Sequence, residues 1–347
     1  MMVTHPVLLA FISAVLFGAA TPASKGLLAE LSPFQLAGLL YLGAALGVAP
    51  VAGLRQVWRM PWRLNPANRW RLWGAVLAGG VAGPVLLLAG LRVASAASVS
   101  LWLNLELVAT AVLGHWFFRD HLTRYGWLGV AVTLIAAMTL SVGSGSAGVL
   151  AGILVLLAGC CWGLDNHLTA LIDGLSPSQS TFWKGLVAGS VSLIIGLALH
   201  PFTATGLITL GAVFVGIWSY GASITLYIHA AQRLGATRGQ IIFSTAPFFG
   251  LLLSSVLLGE TLHVLHGLTA LLFVVGIGLL LIESHAHTHE HTELSHAHRH
   301  RHDDQHHTHD HDWLDPTVEH THWHDHAPMT HAHVHWPDLH HRHGYET

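Results

Sequence analysis

Two carboxylic acids stand in stretches of this chain that otherwise offer little to solvate them. Glu106 lies within Leu101-Trp102-Leu103-Asn104-Leu105-Glu106-Leu107-Val108, and Asp165 within Trp162-Gly163-Leu164-Asp165-Asn166-His167. If these runs cross a bilayer, a charged side chain near the middle costs roughly 2.5–3.5 kcal/mol on insertion scales, so each one needs a reason to be there. A carboxyl group that meets alternately dry and wet surroundings takes up and releases a proton, which is the chemistry of a proton-coupled carrier. On a regular helix Glu106 shares a face with Ser95, Val99, Trp102 and Thr110, whereas Asn104 turns toward Ser100 and His115. Glu106 is therefore the expected cavity residue, with Trp102 beside it. The bland alternative is a structural carboxylate capped by hydroxyls of neighbouring helices.

Asp165 has Asn166 and His167 next to it, and Cys161, Trp162 and Thr169 on its face. Asp165 and Asn166 are candidates for binding a solute or a proton; the alternative for Asp165 is an ion pair with Lys25, Lys184 or His229. Lys25 is a further candidate. Both lysines lie near the ends of apolar runs, where a long stem can also carry the ammonium to the headgroups. Trp102, Trp162, Trp218, Tyr220 and Tyr227 can line an aromatic pocket or face lipid. His115, His167 and His229 read first as hydrogen-bonded packing residues.

A second chemistry is concentrated at the C-terminal end, where residues 283–347 hold 22 of the 30 histidines. The clusters are His285, His287, His289, His291, then His296, His298, His300, His302, then His306, His307, His309, His311. They continue with His320, His322, His324, His326, then His331, His333, His335, and His340, His341, His343. Alternation in an extended chain puts the imidazoles of one cluster on one side, and neutral imidazole suits Zn, Ni, Co and Cu. A divalent transition metal is thus the ligand expected of this tail. The signal is compositional, with no tetrahedral spacing of the zinc-finger kind. Few aliphatic residues accompany the histidines, so residues 284–347 are expected to be disordered without a ligand. No cofactor is expected for the rest of the chain.

The elements that position Glu106 and Asp165 follow from composition. The chain has 347 residues, 52% hydrophobic and only 10% charged, against about 25% charged in a soluble domain. That is too little charge to clothe a water-facing surface, so lipid is the expected solvent. Residues 1–282 carry twelve Lys/Arg and six Asp/Glu, a balance of +6, while the tail carries three and twelve, a balance of −9. A span needs about 20 apolar residues. Ten runs qualify, near 6–28, 33–54, 70–91, 95–118, 124–143, 147–172, 178–200, 206–230, 235–258 and 262–282. Short-loop arginines set the orientation. Arg55, Arg59, Arg63, Arg69, Arg71, Arg119, Arg124, Arg233 and Arg238 fall on even-numbered connections; only Lys25 and Arg92 oppose them. Both termini are therefore expected in the cytoplasm, with the protein in the inner membrane. Adjacent Cys160 and Cys161 read as small packing residues.

The runs repeat. Leu31-Ser32-Pro33-Phe34-Gln35 returns as Leu175-Ser176-Pro177-Ser178-Gln179, and the stretch from Leu105 to Leu122 is echoed from Thr245 to Leu262. Five spans per copy is an odd number, so residues 1–143 and 144–283 enter the membrane in opposite senses. Inverted repeats are typical of alternating-access carriers, which hold the solute near the midplane where the halves meet. Thr21-Pro22-Ala23 occupies in the first half the place of the Asp165 region in the second.

These features resemble the drug/metabolite transporter superfamily of the EamA type over about residues 5–282. The resemblance rests on the five-plus-five layout, on Ala97 to Ala111 with its Leu105-Glu106-Leu107-Val108, on Phe118-Arg119-Asp120, and on Leu257-Leu258-Gly259-Glu260. Leu107 stands where the family favours proline, which Pro247 retains in the second half; the histidine tail lies outside the family core. The resemblance implies an all-α membrane protein that moves small organic solutes, with cytoplasmic termini.

The leading reading is a secondary carrier, in the efflux direction, for small metabolites or amino-acid-like solutes, with lipid, solute and transition metal as partners and none for nucleic acid. A second is a Ni, Co or Zn carrier that uses the tail as donor or acceptor, for which Cys160, Cys161, Asp165 and His167 form a thin ligand set. A third is a membrane metal sensor or store, which would need no inverted repeat. The chain lacks H-E-x-x-H, G-x-S-x-G and P-loop signatures of enzymes. Gly43-x-x-x-Gly47 and Gly79-x-x-x-Gly83 read as helix packing within one chain, and leave the oligomeric state open. Deleting residues 284–347 separates the readings. Metal flux that survives deletion and is lost in Asp165→Asn marks metal cargo; unaltered cellular metal with altered solute flux marks the metabolite carrier.

Overall fold

In the computed structural model the repeated Leu-Ser-Pro-x-Gln motif opens a helix in each half. The Ser32 hydroxyl accepts from the Gln35 N–H at 3.3 Å, and the Gln35 side chain accepts from the Ser32 N–H at 3.0 Å, a reciprocal capping box. Ser176 accepts from Gln179 N–H at 3.3 Å in the second half. Proline at the first helical position costs nothing, because its missing N–H is one the helix start leaves unpaired anyway. The repeated motif is thus a helix-start signal.

The structure describes residues 6–54, 60–118, 122–172 and 175–281, and the backbone of 286–291, 294–300, 320–326 and 329–334. Among the described residues ten helices have membrane-spanning length and composition. They are α1 (Pro6–Leu27), α2 (Pro33–Gly53), α3 (Pro66–Val93), α4 (Ala96–Phe117) and α5 (Arg124–Gly143), then α6 (Gly145–Ala170), α7 (Pro177–Leu199), α8 (Gly206–Leu234), α9 (Ala236–Leu258) and α10 (Val264–Leu281). Up to Leu281 the chain is an all-α multi-pass membrane protein built as two inverted five-helix repeats. Gly145, at φ 74°, lets α5 turn directly into α6. Outward-facing Leu207, Val256 and Val264 are 80%, 78% and 79% exposed, the inside-out pattern that lipid permits.

Corresponding helices are interrupted at corresponding places. α3 and α8 each contain a π-helical segment, Val76–Ala82 and Gly216–Ala222. α4 and α9 each tighten into a turn, at Leu103–Asn104 and Ser244–Thr245. The Asn104 N–H reaches Leu101 O and the Leu107 N–H reaches Asn104 O, both at 3.1 Å; Thr245 to Ile242 and Phe248 to Thr245 repeat the pattern at 3.2 Å. Such breaks survive at membrane depth only where protein covers them.

Helices meet through small residues. Gly43 of α2 lies against Gly216 of α8, Gly189 of α7 against Leu42, and Gly47 against Ile217. Close backbone approach replaces the hydrophobic driving force that lipid removes. Polar links cross between the halves. The Ser13 hydroxyl of α1 donates to Ser223 O at 2.7 Å, and the Ser223 hydroxyl of α8 returns a bond to Ser13 O at 2.8 Å. The Glu260 carboxylate, just after α9, accepts from the Ala96 and Ala97 N–H groups at 2.8 Å each, capping α4 where its helix dipole favours an anion.

Residues 284–335 form a separate unit. Its described segments Ala286–His291, Leu294–His300, His320–His326 and Met329–Val334 pair antiparallel, first with last and second with third. Where the composition predicts no regular structure, these segments run extended and pair in antiparallel register.

A Cβ at Gly216 would meet the Leu40 carbonyl oxygen, whereas one at Gly267 would enter open space. Gly216→Val is expected to lower stability by about 1–3 kcal/mol through overpacking, read as a lower melting temperature in detergent. Gly267→Ala serves as the control and leaves it unchanged.

Candidate solute and proton site

A cavity of about 40 Å3 lies among helices of both halves, with Glu106 of α4, Asp165 and Asn166 of α6 and Lys184 of α7 on its wall. A single water needs roughly 10–15 Å3, so the space is that of a few small molecules at most. Around these polar groups stand Phe17, Tyr41, Trp162, Tyr220, Tyr227 and Phe243.

Glu106 follows the tight turn in α4. Gly159 and Gly163 of α6 let the two helices touch there, since a Cβ on either would press into the backbone at Leu105–Glu106 or Ala109–Thr110. The contact brings Asn166 over Glu106. Its Nδ2 donates to Glu106 Oε1 at 3.0 Å, Thr110 Oγ1 at 3.1 Å and Gln240 Oε1 at 3.2 Å. Two hydrogens are shared among three acceptors on α4 and α9, so one amide ties both halves to the acid.

Asp165 is neutralised from α7. Lys184 Nζ donates to Asp165 Oδ1 at 2.9 Å and Oδ2 at 2.7 Å, and Thr169 adds a bond to Oδ1 at 2.7 Å. The paired side chains are 3% and 8% exposed. Such a pair holds because each charge would be far costlier alone. Gly79 makes the space: a Cβ there would collide with the Asp165 carboxylate. Gly79 sits in the π segment of α3, where the helical ladder is interrupted. Its carbonyl accepts from the Tyr41 hydroxyl at 2.6 Å and from Trp162 Nε1 at 3.0 Å.

The aromatic wall centres on Phe17, two residues before the break in α1 at Ala19. Its ring lies 5.2 Å from Phe243, 5.6 Å from Tyr220 and 6.4 Å from Trp162. Tyr41 meets Tyr220 at 5.4 Å and Tyr227 meets Phe243 at 5.1 Å, each pair tilted by 58°.

Glu106, Asp165 and Asn166 are therefore brought together, along with Trp162, Thr169, Tyr220 and Tyr227. Trp102 is not: it is fully buried, with its Nε1 on Ala137 O at 3.2 Å. The tight turn at Leu103–Asn104 separates it from Glu106 and spoils the regular helical face that links them on paper. Lys25 is also elsewhere, donating to Leu91 O at 2.7 Å and Ala94 O at 2.8 Å, where it caps the end of α3. Lys184, which the span boundaries allow to snorkel, is buried instead because Asp165 meets it. Trp218 is half exposed on the outer surface. His167 bonds Thr110 O at 2.9 Å and stacks on Phe118. Phe17, Tyr41, Gln240 and Phe243 carry no mark in the sequence that separates them from packing residues; an amide within an apolar run, Gln240, is the faintest of signals.

Among the described residues no group of three or more His, Cys, Asp and Glu is placed to hold a metal. Of the expected tail ligands, His285, His302, His306, His307, His309, His311, His335, His340, His341 and His343 lie outside the described residues, and the others fall on segments of which only the backbone is described.

Comparison with known proteins agrees with this architecture. The EamA-like transporter family matches residues 5–142 and 149–282, one copy in each half. An uncharacterized transporter of Methanothermobacter thermautotrophicus is 29% identical over 215 residues, spanning 59% of this chain and 62% of its own length. The chain thus spans under two thirds of that relative. An uncharacterized transporter of Synechocystis sp. is 25% identical, spanning 76% of this chain and 86% of its own. A crystal structure of a 16% identical protein superposes with a TM-score of 0.64, covering 80% of this chain and 97% of the other; at that identity the likeness concerns the fold.

The buried pair generates a sharp expectation. Asp165→Asn or Lys184→Met alone leaves an uncompensated charge and is expected to cost about 3–5 kcal/mol, whereas the double variant recovers most of that loss. Thermal melting of the four purified proteins in one detergent reads the coupling; additive losses would show that the pair is not held in low dielectric.

Proposed function

Because the chain belongs to the EamA-like transporter family of the drug/metabolite transporter superfamily, we propose that it is a secondary carrier that exports small metabolites, amino-acid-like solutes above all, in exchange for protons. What supports this is one observation: an acid held by an amide shared between the halves, beside an internally neutralised ion pair, inside an aromatic-walled cavity. With Asp165 balanced by Lys184, Glu106 is left as the acid available for exchange. Protonated, it lets the empty site cross as a neutral unit; ionised, it takes the ammonium of a solute. The two uses exclude each other, which is the requirement for antiport. The aromatic rings suit an apolar side chain. At about 40 Å3 the cavity is far smaller than the roughly 300 Å3 of an ordinary ligand pocket, so the halves part to admit a solute.

The arginine asymmetry supports an inner-membrane protein with cytoplasmic termini. The tail then hangs in the cytoplasm and binds divalent transition metal there, as a sensor or buffer. Metal as the cargo has less support, since the cavity wall holds neither cysteine nor histidine.

In proteoliposomes carrying a pH gradient, the protein is expected to drive uphill movement of members of an amino-acid panel, with flux collapsing when the gradient is removed. Glu106→Gln is expected to bring that gradient-driven flux to background while reconstitution and melting temperature stay unchanged. Full flux in Glu106→Gln would remove the proton role from this residue.

A further inference from the structure

Two tyrosines that line the cavity carry hydroxyls with no hydrogen-bond partner in the protein. The hydroxyls of Tyr220 and Tyr227 are buried without a hydrogen-bond partner, although both residues line the cavity and are only 1% and 7% exposed. A buried hydroxyl left unmet costs about 1–3 kcal/mol, and a native structure keeps such a group for a reason. Packing does not supply the reason. The rings fill their places through contacts with Phe17, Tyr41 and Phe243, which phenylalanine would make equally well.

The two tyrosines lie on α8, Tyr220 within its π segment and Tyr227 in the α-helical turns after it, and both line the same cavity. Both therefore present to the cavity from the second half, while Glu106 belongs to the first. A solute admitted among these helices finds an acid of the first half and two unpaired hydroxyls of the second within one cavity lining.

We propose that Tyr220 and Tyr227 select the solute by donating hydrogen bonds to its carboxylate, so that the site takes a zwitterion with an apolar side chain rather than a simple amine. The assignment rests on the carrier reading above and adds the group that reads the anionic end. Lys184 is already committed to Asp165 through both carboxylate oxygens, so neutral donors do this work. A site built to bond a polar group rejects the analogue that lacks it, because its own buried groups then stay unpaired.

The test compares the amino acid that the wild-type protein carries fastest, out of the twenty, with its decarboxylated amine, in proteoliposomes. The double variant Tyr220→Phe/Tyr227→Phe removes two oxygens and retains both rings. It is expected to raise KM for the amino acid about tenfold, to leave kcat within about twofold, and to leave inhibition by the amine unchanged. Each single variant gives a smaller rise in KM, which keeps the test intact if the double variant folds poorly. Unchanged KM for the amino acid in folded variants overturns the assignment while the carrier reading stands; so does an equal loss for amino acid and amine. A wild-type protein that carries none of the twenty overturns both.

Discussion

Charge held away from water organises this molecule. Asp165 and Lys184 face each other across α6 and α7 at hydrogen-bond distance, and neither is tolerable in low dielectric without the other. Their presence dictates what surrounds them. α3 must pass close by without a side chain, which places Gly79 against the carboxylate. The π segment that contains Gly79 leaves its carbonyl to accept from Tyr41 and Trp162, and those two rings become part of the cavity wall. A single ion pair thereby sets the course of one helix and the orientation of two aromatic side chains.

The frame is symmetric and the chemistry is not. Both halves carry a π segment in their third helix and a tight turn in their fourth, so the backbone irregularities are inherited by the duplicated unit. The charged groups are not duplicated. Glu106 stands opposite Ala246 in the repeat, and Lys184 opposite an apolar stretch of α2. Two equivalent bundles thus enclose one polar site, and Asn166 joins them by bonding groups on α4 and α9 together. Bonds such as Ser13 with Ser223 and Glu260 with Ala96 and Ala97 stitch the same seam at other depths.

Ten spans, the tandem repeat and the membrane setting were legible in the linear chain, because lipid imposes a length and a polarity on each segment that no neighbour can alter. Glu106, Asp165 and Asn166 were legible for the same reason: polar groups in apolar runs stand out when hydrocarbon is the alternative. Trp102 and Lys25 were misplaced by reasoning that treats helices as regular and their ends as wet. A tight turn at Leu103–Asn104 parts Trp102 from Glu106, and Lys25 satisfies carbonyls at the end of α3 instead of entering the cavity. Which lysine meets Asp165, which aromatics close around Glu106, and which glycines hold helices in contact were decided by tertiary structure alone. Those outcomes depend on how helices far apart in sequence rotate and approach, and that relation is a property of packed pairs, carried by no single segment.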